Sequence, residues 1–157
     1  MRHPGKYLRE LQRELDMAMG ALEYHLGNLE NAGLVTVLQQ EHKRFFPAEM
    51  DRRDKRILSL LRQKLPRRAL LVLLEKGPTT KGRLVEAVDV AASTLNYHLA
   101  HLVDVGLVTA DRDGREAVYR LNDPGAVVRL LITYRSSLLD RLVDAFLEGV
   151  DALRPGE

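Results

Sequence analysis

The hydrophobic positions of this chain fall into the same arrangement twice. Leu22, Leu26 and Leu29 recur at i, i+4 and i+7, as do Leu95, Leu99 and Leu102 further on, and each set predicts one apolar stripe along a helix. A glycine follows at the same offset, Gly33 and Gly106, where a helix ends most readily because glycine takes the left-handed conformation without steric cost. Each glycine precedes a short Leu-Val-Thr strand. A polar stretch then leads to a second β-prone run, Lys43 to Phe46 in the first copy and Ala117 to Leu121 in the second, the latter after an Asp113-Gly114 turn.

The two stretches are near-duplicates. Residues 22–36 read LEYHLGNLENAGLVT and residues 95–109 read LNYHLAHLVDVGLVT; at a shift of 73, nine of the 15 positions are identical. Upstream of the second copy, Pro66 to Lys76 carries Ala69, Leu70, Leu73 and Leu74 between a proline and Gly77-Pro78, which predicts a helix. Thr79 or Thr80 is placed to cap a following helix to about Val88. In the first copy Leu8 to Leu15 matches this second helix, and the helix before it would fall ahead of Met1, so the first unit is expected to lack it.

The expected fold is therefore mainly α with small β-hairpin wings, an α+β arrangement of two tandem winged-helix units followed by a long C-terminal helix. The units are expected at 1–50 and 66–123, with a basic helical connector at 51–65 and the C-terminal helix at 124–157. In that last segment Leu139, Val143, Phe146, Val150 and Leu153 alternate spacings of four and three. Such a seam predicts a homodimer through the C-terminal helix, or a helix folded back onto the first-helix position missing from the N-terminal unit. Ile57, Leu58, Leu61 and Leu65 make the connector a second candidate for that position.

Composition narrows the function classes. The chain has 157 residues, 45% hydrophobic and 29% charged, with 5% aromatics and no tryptophan, which favours short packed helices over a sandwich of sheets. The lack of cysteine removes disulfides, thiolate zinc sites and cysteine nucleophiles. No apolar run reaches the roughly 18 residues of a membrane span, and the N-terminus lacks a signal-peptide core, so the expected compartment is the cytoplasm. A formal net charge of +2 says little by itself. From Glu41 to Lys76, however, 11 Lys+Arg stand against 5 Asp+Glu, including Arg52, Arg53, Lys55, Arg56, Arg62, Lys64, Arg67 and Arg68; from Asp104 onward the balance reverses, 7 against 10.

The segment STLNYHLAHLVDVGLVTADRDGREAVYRL resembles the recognition helix and wing of ArsR-like and MarR-like winged-helix regulators, and the tandem order resembles archaeal regulators with two such domains. The resemblance covers about residues 5–123. It implies a protein that binds double-stranded DNA, with a recognition helix in the major groove and a wing on the backbone or minor groove. On the helical wheel the face opposite Leu95, Leu99 and Leu102 carries Ser93, Tyr97, Ala100 and His101, flanked by Thr94 and Asn96. Ser93 and Thr94 suit phosphate, Asn96 suits an adenine edge, and Tyr97 suits phosphate or sugar. The first copy offers Gly20, Ala21, Tyr24, Gly27 and Asn28, a poorer set of hydrogen-bonding groups. No Lys or Arg occurs between Glu14 and His42 or between Val90 and Asp111, a departure from the family pattern that weakens phosphate binding by these helices. The positive charge is then expected from Lys43 and Arg44 in the first wing, Arg112 and Arg115 in the second, Lys81 and Arg83 on the helix before the recognition helix, and the connector.

The histidines suggest a metal site, since His98 and His101 stand at i, i+3. The wheel places His98 beside the apolar stripe and His101 on the outer side, with no Cys, Asp or Glu to complete a ligand set, so His25 and His98 are expected to be packed, hydrogen-bonded structural residues and no metal or cofactor is called for. With no glycine-rich phosphate loop, paired catalytic carboxylates or Ser/His/Asp set, an enzyme is not expected. The alternative to a DNA-binding regulator is a winged-helix scaffold for protein interactions, which recognition helices without lysine or arginine favour.

Overall fold

A computed structural model describes residues 4–39 and 42–138, together with Phe146 and Glu148. The chain divides into two units, with the boundary after Ser59. The first contains β1 (Lys6–Tyr7), α1 (Leu8–Leu15), α2 (Met19–Asn31), β2 (Val35–Gln39) and β3 (Lys43–Pro47). The boundary falls inside α3 (Arg52–Leu61). The second contains α4 (Lys64–Lys76), β4 (Thr79–Thr80), α5 (Lys81–Val88), α6 (Ala92–Asp104), β5 (Val108–Asp113), β6 (Glu116–Leu121) and α7 (Pro124–Leu138). The order strand, helix, helix, hairpin, helix thus occurs twice, and only α4 has no counterpart among the described residues of the first unit.

Each unit holds a three-stranded antiparallel sheet with its last strand in the middle, β1-β3-β2 and β4-β6-β5. In the second, Thr79 and Thr80 pair with Tyr119 and Val118, while Val108 to Asp113 pair with Leu121 to Glu116. In the first, Lys6 pairs with Phe45 and Val35 to Gln39 pair with Pro47 to Lys43. The strands β1 and β4 were not expected from the sequence, being two residues long and too short to show a period. Their presence corrects the reading of Thr79-Thr80 as a side-chain cap. Thr80 occupies the cap position of α5 without a side-chain cap bond, and the Thr79 hydroxyl donates instead to the Gly77 carbonyl at 2.8 Å.

The turn after α2 and the turn after α6 are the same closed motif. In the second unit Leu107 N–H donates to the Leu102 carbonyl at 3.0 Å and Gly106 N–H to Val103 at 2.9 Å; in the first, Leu34 N–H donates to Leu29 and Gly33 N–H to Glu30, both at 3.0 Å. These are the two bonds of a Schellman ending, and they require a left-handed residue, met by Gly33 at φ +69° and Gly106 at φ +76°. The same correspondence extends to Asp16 and Asp89, both left-handed at the turn between the paired helices.

The second unit's core includes Ala69, Leu70, Leu73, Leu84, Val88, Leu95, Leu99, Leu102, Val105, Leu107 and Val108, all buried. The first unit has a smaller cluster of Leu11, Leu22, Leu26, Val35 and Phe45, with Leu8, Met17 and Val37 packed against it. Leu29 departs from the expected stripe: it is exposed, although Leu102 at the equivalent position is fully buried. The helix read as starting at Pro66 begins at Lys64, so Pro66 lies in the first turn, where its missing N–H costs no helical bond. Arg67, read as part of a basic surface, is buried, and its Nη1 donates to the Leu61 carbonyl at 2.7 Å.

Asp123 caps α7 by accepting the Ala126 N–H at 2.9 Å, and α7 buries Val127 and Leu131 one turn apart. Of the expected C-terminal seam only Phe146 is described, as a half-buried helical residue; Leu139, Val143, Val150 and Leu153 lie outside the described residues. Among the described residues no helix is long and apolar enough to cross a membrane.

Candidate nucleic-acid interface

The fold turns one end of the second unit into a cationic groove. Antiparallel pairing carries β5 and β6 out to a turn at Gly114, φ +67°, which places Arg112 and Arg115 on either side of it. Pairing of β4 with β6 holds the start of α5 beside the same hairpin. Between them opens a groove of about 690 Å³, lined by Lys81, Gly82, Val85 and Ala92 on the helical side and Arg112, Gly114, Arg115, Glu116 and Ala117 on the wing. Arg112 and Arg115 are exposed and Lys81 is half-buried. No ion pair of these three is found among the described residues, and Glu116 is the acidic side chain that lines the same groove. The other wing arginine is committed within the hairpin: Arg120 Nε lies 3.0 Å from Asp111 Oδ2.

Ala92, on the groove wall, is the first residue of α6. The cap residue, Ala91, has no side-chain acceptor, and the first turn contains no acid. The positive end of that helix is therefore uncompensated and favours an anion such as phosphate. On the outer face of α6, Ser93, Thr94, Asn96, Tyr97 and Ala100 are exposed and His101 is half-buried. Tyr97 stands edge-on to His98 at 5.3 Å and to His101 at 4.6 Å between ring centroids, so two neighbours hold its ring upright on the surface. Arg83 is exposed on α5 but does not line the groove.

The sequence-predicted residues of the first unit do not gather in this way. Tyr24 and Asn28 are exposed on α2, and Lys43 is exposed on β3. The Arg44 guanidinium is turned back onto β1, donating to the Gly5 carbonyl at 2.9 Å and lying 6.0 Å over the Tyr7 ring, so it acts as a brace for the sheet. His25, expected to be packed, is exposed, with its ring edge-on to Tyr24 at 5.6 Å; His98 is half-buried. Among the described residues no group of three or more His, Cys, Asp or Glu is placed to hold a metal ion. Sequence reasoning did not anticipate Gly82 and Ala92 as groove residues. The lack of side-chain bulk at Gly82, one residue after a lysine at a helix start, is the signal that could have pointed to it.

Two family models match the chain, an N-terminal HTH domain at residues 1–58 and the bacterial regulatory protein arsR family at residues 66–110. An uncharacterized HTH-type transcriptional regulator of Methanocaldococcus jannaschii is 29% identical over 122 residues, 77% of this chain and 31% of that protein. A probable mercury resistance operon repressor of Streptomyces lividans is 36% identical over 55 residues, 35% of this chain and 44% of that protein. The chain thus spans less than half the length of either relative. Among solved structures, reduced HlyU from Vibrio cholerae is similar at 25% identity and a TM-score of 0.45, over 50% of this chain and 84% of that one. Two models of helix-turn-helix domains thus match successive parts of the chain, one at residues 1–58 and the arsR-family one at residues 66–110.

Proposed function

We propose that the chain is a DNA-binding transcriptional regulator whose second unit, residues 66–123, reads double-stranded DNA. The observation that carries this reading is the meeting of Lys81, Arg112 and Arg115 at one groove, beside the bare N-terminus of a helix whose outer face exposes Ser93, Thr94, Asn96 and Tyr97. In this arrangement α6 enters the major groove, Asn96 addresses an adenine edge, and Ser93, Thr94 and Tyr97 contact phosphate or sugar. His101 and Arg83 lie at the margin of that contact. The wing arginines neutralise phosphates that α6, without a lysine or arginine of its own, leaves uncompensated. The first unit, residues 1–50, contributes less: Tyr24, Asn28 and Lys43 are its exposed candidates, and Arg44 is occupied by the sheet.

The chain works as a homodimer joined through residues 124–157, with 51–65 as connector, and so reads a two-part site. It acts by binding rather than by catalysis, in the cytoplasm. Fluorescence anisotropy on genomic fragments, from low to physiological salt, tests the reading. Binding that weakens steeply with salt is expected; retention of no fragment even at low salt would remove the DNA reading and leave the protein-interaction scaffold.

A further inference from the structure

The first unit holds a cavity of about 270 Å³ between α2 and its hairpin. Glu23, Leu26, Gly27 and Glu30 line it from α2 at i, i+3, i+4 and i+7, which is one face of a helix. Lys43 and Phe45 line it from β3, two residues apart and so on one side of the strand, and Val37 joins them as the pairing partner of Phe45. Leu26 and Phe45 are buried in the unit's core, with Leu8 and Val37 packed against it, so the floor is apolar. Glu23, Glu30 and Lys43 are exposed, and no ion pair of these three is found among the described residues. Opposite charges thus line one cavity without closing on each other. The second unit has Asn96, Val103 and Glu116 at the corresponding positions, so the constellation belongs to the first unit and is not imposed by the fold. Gly27, an alanine in the other copy, has no packing reason to lack a side chain, since a Cβ there would meet nothing within 4 Å; its effect is to leave the cavity wall open.

We propose that this cavity binds a free α-amino acid with an apolar side chain. Its volume lies just below the roughly 300–1,000 Å³ typical of sites for drug-sized ligands, small for a nucleotide and fitting for a single amino acid. The charges select a zwitterion. The carboxylates of Glu23 and Glu30 address the ligand's ammonium group and Lys43 its carboxylate, so the ligand bridges groups that the protein leaves apart. A simple amine would leave Lys43 unanswered, and a simple carboxylic acid would meet two carboxylates. The apolar side chain rests on Leu8, Leu26, Val37 and Phe45, where its burial adds to the affinity. This inference concerns the first unit alone and is independent of whether the second unit binds DNA.

Isothermal titration calorimetry of the full chain with L-leucine and L-phenylalanine tests this. Saturable one-to-one binding is expected, with a rise in melting temperature. Leucine amide, which lacks the carboxylate, N-acetyl-leucine, which lacks the ammonium group, and L-glutamate, which lacks the apolar side chain, should each bind at least tenfold more weakly. Lys43→Gln, and the paired substitution Glu23→Gln and Glu30→Gln, should weaken leucine binding at least tenfold. Gly27→Leu fills the cavity without removing a charge and should abolish binding; because a Cβ there is unobstructed, the free variant should melt no lower than wild type. Should a variant melt lower, the ligand analogues on the wild-type chain decide alone. Neither heat nor a melting shift at millimolar leucine or phenylalanine overturns the proposal. So does leucine amide binding as tightly as leucine, since the carboxylate is then not read, and so does leucine binding that Gly27→Leu leaves unchanged, which would place the ligand elsewhere.

Discussion

Replacing Arg112 and Arg115 together by alanine isolates the electrostatic part of the proposed DNA contact. Both side chains are exposed and without ion-pair partners among the described residues, so their loss should leave folding stability within about 0.5 kcal/mol of wild type. Binding behaves differently. Each phosphate neutralised contributes about −0.9 to the slope of log affinity against log salt, so removing two contacts should flatten that slope by about 1.8. Between 50 and 200 mM salt, a fourfold change, the wild type should lose roughly 12-fold more affinity than the double variant, since 4 raised to about 1.8 is near 12. Anisotropy titrations of one labelled duplex at four or five salt concentrations provide both slopes. An unchanged slope, with affinity also unchanged, would refute the placement of this wing on DNA.

Four further outcomes follow from the same geometry. Asn96→Ala should cost about 1–3 kcal/mol on the preferred duplex and relax its sequence preference, with the salt slope unaltered, as competition with unrelated DNA would reveal. Leu102→Ala should destabilise by about 2–5 kcal/mol in urea unfolding, whereas Leu29→Ala, at the exposed equivalent, should cost less than about 1. Arg67→Ala strands the buried Leu61 carbonyl and should cost about 1–3 kcal/mol of stability while leaving the salt dependence of DNA binding alone, which distinguishes this arginine from those of the wing. Gly106→Ala forces a side chain into the left-handed region and should cost about 1–2 kcal/mol in thermal melts.

Features that depend on neighbours in sequence were legible before the fold was known. The glycine stops and the duplicated segment rest on spacing within some fifteen residues, and the structure reproduces them down to the paired hydrogen bonds of the Schellman turns, while of the two helix stripes that of α2 loses Leu29 to the surface. What escaped depends on elements far apart. Periodicity assigns Leu29 and Leu102 to the same face, but Leu102 lies in the unit that has α4, which has no counterpart among the described residues of the other. Arg67 sits in a run of basic residues and reads as surface, yet the first turn of α4 directs it inward to a carbonyl six residues back. The site was legible as a set of charges and hydroxyls. Its assembly was not, because Lys81 and Arg115 meet through β4, a two-residue strand invisible to any pattern, and because Arg44 is captured by a carbonyl 39 residues away.

That short strand has a kinetic meaning. By pairing Thr79 and Thr80 with the central strand β6, it fastens the start of α5 to the wing, so that Lys81 and the arginine-bearing hairpin are parts of one hydrogen-bonded frame. A protein meeting DNA with such a frame has little ordering left to do after contact, and the entropy of aligning the two sides of the groove is spent during folding instead of at the operator. Association should then be governed by encounter and electrostatic steering, with a rate that falls as salt rises, and differences between DNA sequences should appear chiefly in how long the complex lasts.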